Sequence, residues 1–247
     1  MDAPITTLRF RLRDETLQAH QDAEAALDLD RRLASLGAYT ALLRALYRAH
    51  RPIEARLAAF EWAGSGIAFA ERRKLAWLEA DLAALRALPV PADAAGAPRV
   101  AADGGALVPA DEDAAAPPGD EDGPPPSPGE AFGMLYVLEG STLGGRIIGR
   151  EVAARLGLDA DRGGRFFHGY GARTGAMWQG FTAALDRLGP TGPDAEAAVA
   201  AARRTFETVR RCVLQAEVPP VADGSPRADA GRAATADPSE ATSPPRP

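Results

Sequence analysis

Cysteine is almost absent from this chain of 247 residues: Cys212 stands alone. A single thiol excludes an internal disulfide framework and a cysteine-rich metal site, so the composition fits a reducing, cytoplasmic setting. Aromatic residues make up 6% and histidines number three, which leaves few groups to seat a flat ligand or hold a metal. Long apolar runs are missing too. No stretch approaches the ~20 uninterrupted apolar residues of a bilayer span, and "MDAPITTLRFRLRDE" lacks the apolar heart of a signal peptide. The expectation is a protein neither exported nor membrane-embedded. Apolar–polar alternation longer than a few residues is likewise lacking, which argues against a sheet and for an all-α fold.

Proline is plentiful but confined. Of 21 prolines, ten fall between Pro89 and Glu130 and seven between Glu217 and Pro247. Neither segment has an aromatic residue or a hydrophobic period, so neither can bury enough surface to offset the entropy of ordering. The expectation is a single domain over 5–216, a disordered Pro/Ala/acidic insertion at about 89–130 and a disordered tail over 217–247. The insertion reads as a solvated loop of tolerant length, with an acidic docking arm as the alternative. It carries a net charge of −8 and the tail −2, so a total of −6 leaves +4 on the remainder. A mildly basic core suits an anionic small ligand or an acidic protein partner. No Lys/Arg stripe with interleaved aromatics points to nucleic acid.

The remainder has helical periodicity throughout. Leu12, Thr16, Ala19, Ala23 and Leu27 form one stripe. Tyr39, Leu42, Leu43, Leu46 and Tyr47 form a second, which Pro52 is expected to kink or divide before Ile53, Leu57 and Phe60. Leu75, Leu78, Leu82 and Leu85 form a third. Further helices are expected over "YVLEGSTLGGRIIGREVAARLG" from Tyr136, from Thr174 and from Asp194, with Thr174 and Asp194 as N-caps and Gly157 and Gly189 as stops.

Gly140, Gly144, Gly145 and Gly149 crowd the helix from Tyr136. Each mid-helix glycine forgoes roughly 0.8–1 kcal/mol relative to alanine, so something must compensate. One compensation is close helix–helix packing; the other is a ligand lying on the backbone. Gly140 and Gly144 share one face, and Gly145 and Gly149 form a second pair rotated from it. Two bare strips could bend the helix and give a planar molecule a flat wall.

A planar ligand needs an opposite wall. His20 lies on the face of Leu12, Thr16, Ala23 and Leu27, with Glu24 at i+4, where its carboxylate can take one ring proton and leave the other nitrogen free for a metal. Arg13, two turns earlier on that face, is placed to pair with an acidic group at the ligand's rim. The alternative for His20 is a satisfied core histidine. His50 repeats the spacing with Glu54, yet Pro52 and Arg51 crowd it, and a structural role is expected there. His168 reads as a loop residue, and Cys212, without a motif in "RRCVLQ", as a buried structural thiol.

"LRDETLQAHQDAE", then "YVLEGSTLGG", then "FFHGYGARTGAMWQGF" occur in that order. This succession resembles the biliverdin-producing heme oxygenases, in particular the bacterial branch that supplies bilin to bacteriophytochromes. The resemblance implies a single-domain, all-helical bundle holding heme b between a proximal helix and a glycine-rich, kinked distal helix. It implies His20 as iron ligand, Glu24 as its partner, Thr16 beside the heme, and Gly140, Gly144 and Gly145 on the distal side. It further implies O2- and reductant-dependent opening of heme to biliverdin, CO and ferrous iron, with heme both substrate and cofactor. A ferredoxin or flavoprotein reductase would be the electron donor and a bacteriophytochrome a receiver of product. Many family members have aspartate directly after the first distal glycine, where this chain has Ser141. Ser141 and Thr142 are then expected to hold water for proton supply. Arg13, Tyr170 and Arg173, with Arg165 beside them, are candidates for the heme propionates.

Two other readings stay open from the sequence. One is a heme carrier or sensor of the same fold without turnover. The other is a thiaminase-like or di-iron relative, against which stands the lack of any Glu-x-x-His.

Overall fold

The first apolar stripe does not make one helix. In the computed structural model, which describes residues 7–88 and 123–219, the backbone leaves helical geometry at Thr16, whose hydroxyl donates to Leu12 O at 2.7 Å. This divides the stripe into α1 (Leu8–Glu15) and α2 (Leu17–Leu27). Asp28, in the left-handed region at φ 40°, turns the chain into the short α3 (Leu29–Arg32). The serine hydroxyl of Ser35 accepts the Ala38 N–H and caps α4 (Leu36–Ala58). Pro52, expected to kink or divide this stripe, is accommodated inside α4. Burial of Ile53 and Leu57 beyond it outweighs the one backbone hydrogen bond that proline forgoes.

After α5 (Leu75–Ala87), the chain re-enters the described region ahead of α6 (Pro128–Leu156). That helix begins earlier than the expected Tyr136, and its first turn corrects the insertion boundary at 130. "SPGE" is a capping box: the Ser127 hydroxyl accepts the Glu130 N–H, and the Glu130 carboxylate accepts the Ser127 N–H, with Pro128 in the first turn. Gly157, at φ 65°, ends α6 as expected. The short α7 (Arg165–His168) places His168 at a helix end, and α8 (Thr174–Leu185) and α9 (Pro193–Gln215) follow. Thr174 and Asp194 lie within their helices; Arg173 and Gly192 hold the cap positions. Residues 89–122 and 220–247, which carry most of the expected insertion and tail, lie outside the described residues.

The described residues form helices, with no strand among them. The all-α expectation holds. α9 is the central element, with α2, α4 and α6 packed on it. One apolar cluster joins α1, α6, α8 and α9 through Leu12, Leu135, Phe181 and Ala202; another joins α4, α5 and α7 through Leu42, Leu78 and Phe167. α6 and α9 approach so closely that a Cβ on Gly129 or Gly133 would overlap the carbonyl oxygens of Asp194 and Ala198. These two glycines let the helices touch backbone to backbone.

Candidate heme cleft

Three parallel helices define the site. On α9, Arg203 donates to Glu15 O at the end of α1, the Phe206 ring meets the His20 ring edge-on with centroids 5.5 Å apart, and Val213 O accepts from Arg32 beyond α2. α2 therefore runs parallel to α9. On the other flank, Gly129 and Gly133 of α6 meet Asp194 and Ala198 of α9. Equal rise along both helices then carries Gly140 level with Thr205 and Phe206, and so with His20. α2 and α6 are tied at both ends, where Tyr136 meets the Thr16 side chain and Arg155 pairs with Asp30 at 2.8 Å. Between these ties lies a cleft with His20 on one wall, Gly140 and Gly144 on the other and Phe206 beneath.

The wall residues suit a flat guest. A Cβ built on Gly140 or Gly144 meets nothing within 4 Å, so both glycines face open space. Leu143 and Ile147, on the same face of α6, are 38% and 62% exposed, an apolar strip left uncovered. His20 is half-exposed, with Nδ1 3.5 Å from the Glu24 carboxylate, and its Nε2 has no hydrogen-bond partner among the described residues. Thr16 is buried at the tied end, and Arg13 is exposed there with its guanidinium 2.9 Å from Asp14. A histidine opposite bare backbone, over an aromatic floor and with arginine at the rim, fits heme.

Gly145 and Gly149 have a different occupation. Cβ atoms there would lie 3.5 and 3.3 Å from Phe167 O, so this pair seats α7 on α6 and is not part of the open wall. The expectation that Gly145 touches the ligand is corrected accordingly. Thr142 belongs to that packed face too: its buried hydroxyl donates to Leu138 O at 3.1 Å, which removes it from any water network in the cleft. Ser141 is exposed and its Oγ donates to Leu138 O at 2.8 Å, leaving lone pairs to accept from a guest or water.

Tyr170 and Arg173 are not brought to the cleft. Tyr170 is buried, donates to the Glu139 carboxylate at 2.6 Å and accepts from Lys74 Nζ at 3.1 Å. Burial and the adjacent Glu139 push its hydroxyl well above the ordinary phenol range. Arg173 and Arg165 line a separate cavity with Trp77. Of the candidates for an acidic rim group, Arg13 remains at the cleft.

The sequence reading missed a buried ionic network behind the glycine wall. Glu139, next to Gly140, binds Arg72 at 2.6 Å and Lys74 at 2.8 Å, and Glu54 caps α5 by accepting the N–H groups of Lys74 and Leu75. Burial lowers the Lys74 pKa against the raising effect of Glu139. The signal was a single acid ending the apolar run "AFGMLYVLE". His50 is structural as expected: Nδ1 sits 2.8 Å from Leu46 O, the ring packs edge-on to Phe166, and burial pulls its pKa down to about 4.

An all-helical domain with a histidine facing a glycine-lined helix across an open cleft has room for a planar macrocycle between the two. The match to known proteins makes this specific: the sequence model of heme oxygenase matches residues 6–215, and the chain belongs to the heme oxygenase family. No curated protein sequence matches it. Solved structures share the fold. The NO- and CO-bound heme oxygenase of Neisseria meningitidis superposes with a TM-score of 0.60 at 19% identity, over 86% of this chain and 96% of that one. Heme oxygenase of Leptospira interrogans gives 0.61 at 20% identity, over 85% and 99%. Heme oxygenase 2 of Chlamydomonas reinhardtii, without heme, gives 0.60 at 14% identity, over 87% and 100%.

Proposed function

We propose that this protein opens heme to biliverdin, CO and ferrous iron, using O2 and electrons from an external donor. The observation that carries the reading is His20 level with Gly140 across a cleft whose glycine wall opens on empty space. When bound, the iron supplies the oxidising chemistry, and the protein supplies orientation and electrostatics. His20 would offer Nε2 to the iron while Glu24 draws on Nδ1, fixing the ring tautomer. The Phe206 edge holds the imidazole upright. The open space beyond Gly140 and Gly144 would admit the macrocycle, and the exposed Leu143 and Ile147 would offer it apolar contact. Arg13 would take a propionate at the rim. Ser141 would accept a proton donor's hydrogen bond near the bare backbone and so position water on the distal side.

A mildly basic folded part favours an acidic donor such as ferredoxin over a basic one, with a flavoprotein reductase as the other donor class. A bacteriophytochrome is the proposed receiver of biliverdin, and the cytoplasm the proposed setting. No described helix is long and apolar enough to cross a membrane.

A heme titration followed by turnover with ascorbate or ferredoxin tests the reading. Wild type should develop a Soret band that decays to a green product, and His20→Ala should lose the axial signature. A stable Soret band under reductant and O2 would instead make the protein a heme carrier or sensor. An unchanged axial spectrum in His20→Ala, lost in His50→Ala, would overturn the ligand assignment.

A further inference from the structure

A cavity among the described residues lies apart from the heme cleft. It has a volume of about 870 Å³ and lies between the start of α5 and the segment from α7 to α8. α6 presents different residues to the two spaces. One of its faces, Gly140 and Gly144, opens on the cleft, whereas the adjacent face, Glu139 and Gly145, carries Tyr170 and Phe167. Tyr170 lines the cavity and bonds to Glu139, the residue beside Gly140.

The lining has a distinctive chemistry. Arg165 sits over the Trp77 ring at 5.9 Å, and the Tyr170 ring meets Trp77 edge-on at 5.2 Å. The guanidinium of Arg173 has no hydrogen-bond or ion-pair partner among the described residues. Arg165 forms no side-chain ion pair among the described residues; its guanidinium leans on the indole, and the Asp81 carboxylate, which accepts the Arg165 N–H at 2.7 Å, feels its charge. Two guanidiniums on one wall, that of Arg173 unpaired and that of Arg165 held without a side-chain ion pair, ask for carboxylates, and the indole asks for a conjugated plane. Glu71 and Glu79 stand on the opposite wall and offer acceptors to N–H groups. His168 also lines the space, and among the described residues no group of three or more His, Cys, Asp or Glu side chains is gathered to hold a metal ion.

A linear tetrapyrrole combines these demands in one molecule: two propionates, conjugated rings and pyrrole N–H donors without a central metal. The volume falls in the range of cofactor-sized sites, about 300–1,000 Å³. We propose that this cavity is a second site, distinct from the heme cleft, that holds the opened tetrapyrrole product, with Arg165 and Arg173 on its propionates and Trp77 against a pyrrole plane. This inference rests on the heme-opening function proposed above. Product held behind α6 would leave the cleft free for the next heme.

The experiment fills the cleft of the full chain with zinc protoporphyrin, which is not opened, and titrates biliverdin. Binding is followed by the induced circular dichroism of the bilin and by quenching of tryptophan fluorescence. One biliverdin should bind with the porphyrin still in place. Arg173→Ala and Trp77→Leu should weaken it at least tenfold and leave the zinc protoporphyrin titration unchanged. Arg173 is exposed, so its replacement keeps the test independent of folding. Biliverdin that binds only by displacing zinc protoporphyrin, or with an affinity within twofold in both variants, would overturn the proposal. Failure of zinc protoporphyrin to bind, or binding indifferent to His20→Ala, would count against the cleft reading. The same biliverdin titration of the porphyrin-free variants then still reports on the cavity.

Discussion

The Lys74 ammonium and the Glu139 carboxylate lie 2.8 Å apart, each side chain 1% exposed, and together they fasten the start of α5 to α6 just ahead of Gly140. Arg72 and Tyr170 complete the carboxylate's partners. Breaking a buried pair by removing one charge costs about 3–5 kcal/mol because the other is stranded. Glu139→Leu strands both Lys74 and Arg72 and should lose that much in urea unfolding. Lys74→Met should lose less, since Arg72 and Tyr170 still hold the carboxylate. Equal costs for the two variants would show that the carboxylate is not the centre of the network.

The glycines of α6 should separate by substitution. Gly133→Ala places a Cβ on the carbonyl of Ala198, backbone that cannot step aside, and should destabilise by about 1–3 kcal/mol. Gly144→Ala meets no protein atom and should stabilise the heme-free chain by up to about 1 kcal/mol through helix propensity. Heme affinity should respond in the opposite sense, falling in Gly144→Leu as the side chain enters the cleft. Urea midpoints and Soret titrations on the same variants measure both effects. A destabilised Gly144→Ala would mean that its face is covered.

How much of this was legible in the sequence follows from the range of each interaction. Helix content depends on neighbours three and four residues away, and the all-α fold read correctly; His20 and Gly140 as facing partners come from the family resemblance and belong to the proposed function. Thr16 broke a stripe that periodicity joined, because its hydroxyl bond to Leu12 O is local chemistry that a hydrophobic pattern does not register. "SPGE" was legible as a capping box but lay under a proline-rich composition that suggested no structure. Gly145 and Tyr170 were misplaced because helix rotation alone cannot say which face of α6 meets the segment from Phe167 to Tyr170. Glu139, Lys74 and Arg72 come from segments more than sixty residues apart, and nothing short of the tertiary fold joins them.

Buried His50 should give the protein an acid-sensitive stability. Its pKa falls from 6.5 to about 4 on folding, mainly through desolvation, so between those values the unfolded chain binds a proton that the folded one refuses. Stability contributed in this way is present above pH 6.5 and is lost as pH falls toward 4, by about 3 kcal/mol at the lower end. His50→Leu removes the titration, and its urea midpoint should depend less on pH across that window. An undiminished slope would place the acid sensitivity on other groups.

Ser141 is where the proposed chemistry departs from the commoner aspartate. Its Oγ–H is engaged with Leu138 O at 2.8 Å, so the exposed hydroxyl is free only as an acceptor and cannot deliver its own proton without breaking that bond. Its contribution is then to hold a water in line, on the scale of one hydrogen bond, about tenfold in rate. Ser141→Ala keeps the helix, removes only that acceptor and should leave heme affinity unchanged. Soret decay under ascorbate and O2 should slow by about tenfold, with a larger solvent isotope effect. Ser141→Asp adds a charged acceptor at the same place and should restore the rate or exceed it. If alanine and aspartate both match wild type, the distal water is held from the backbone carbonyls of α6 and not from residue 141.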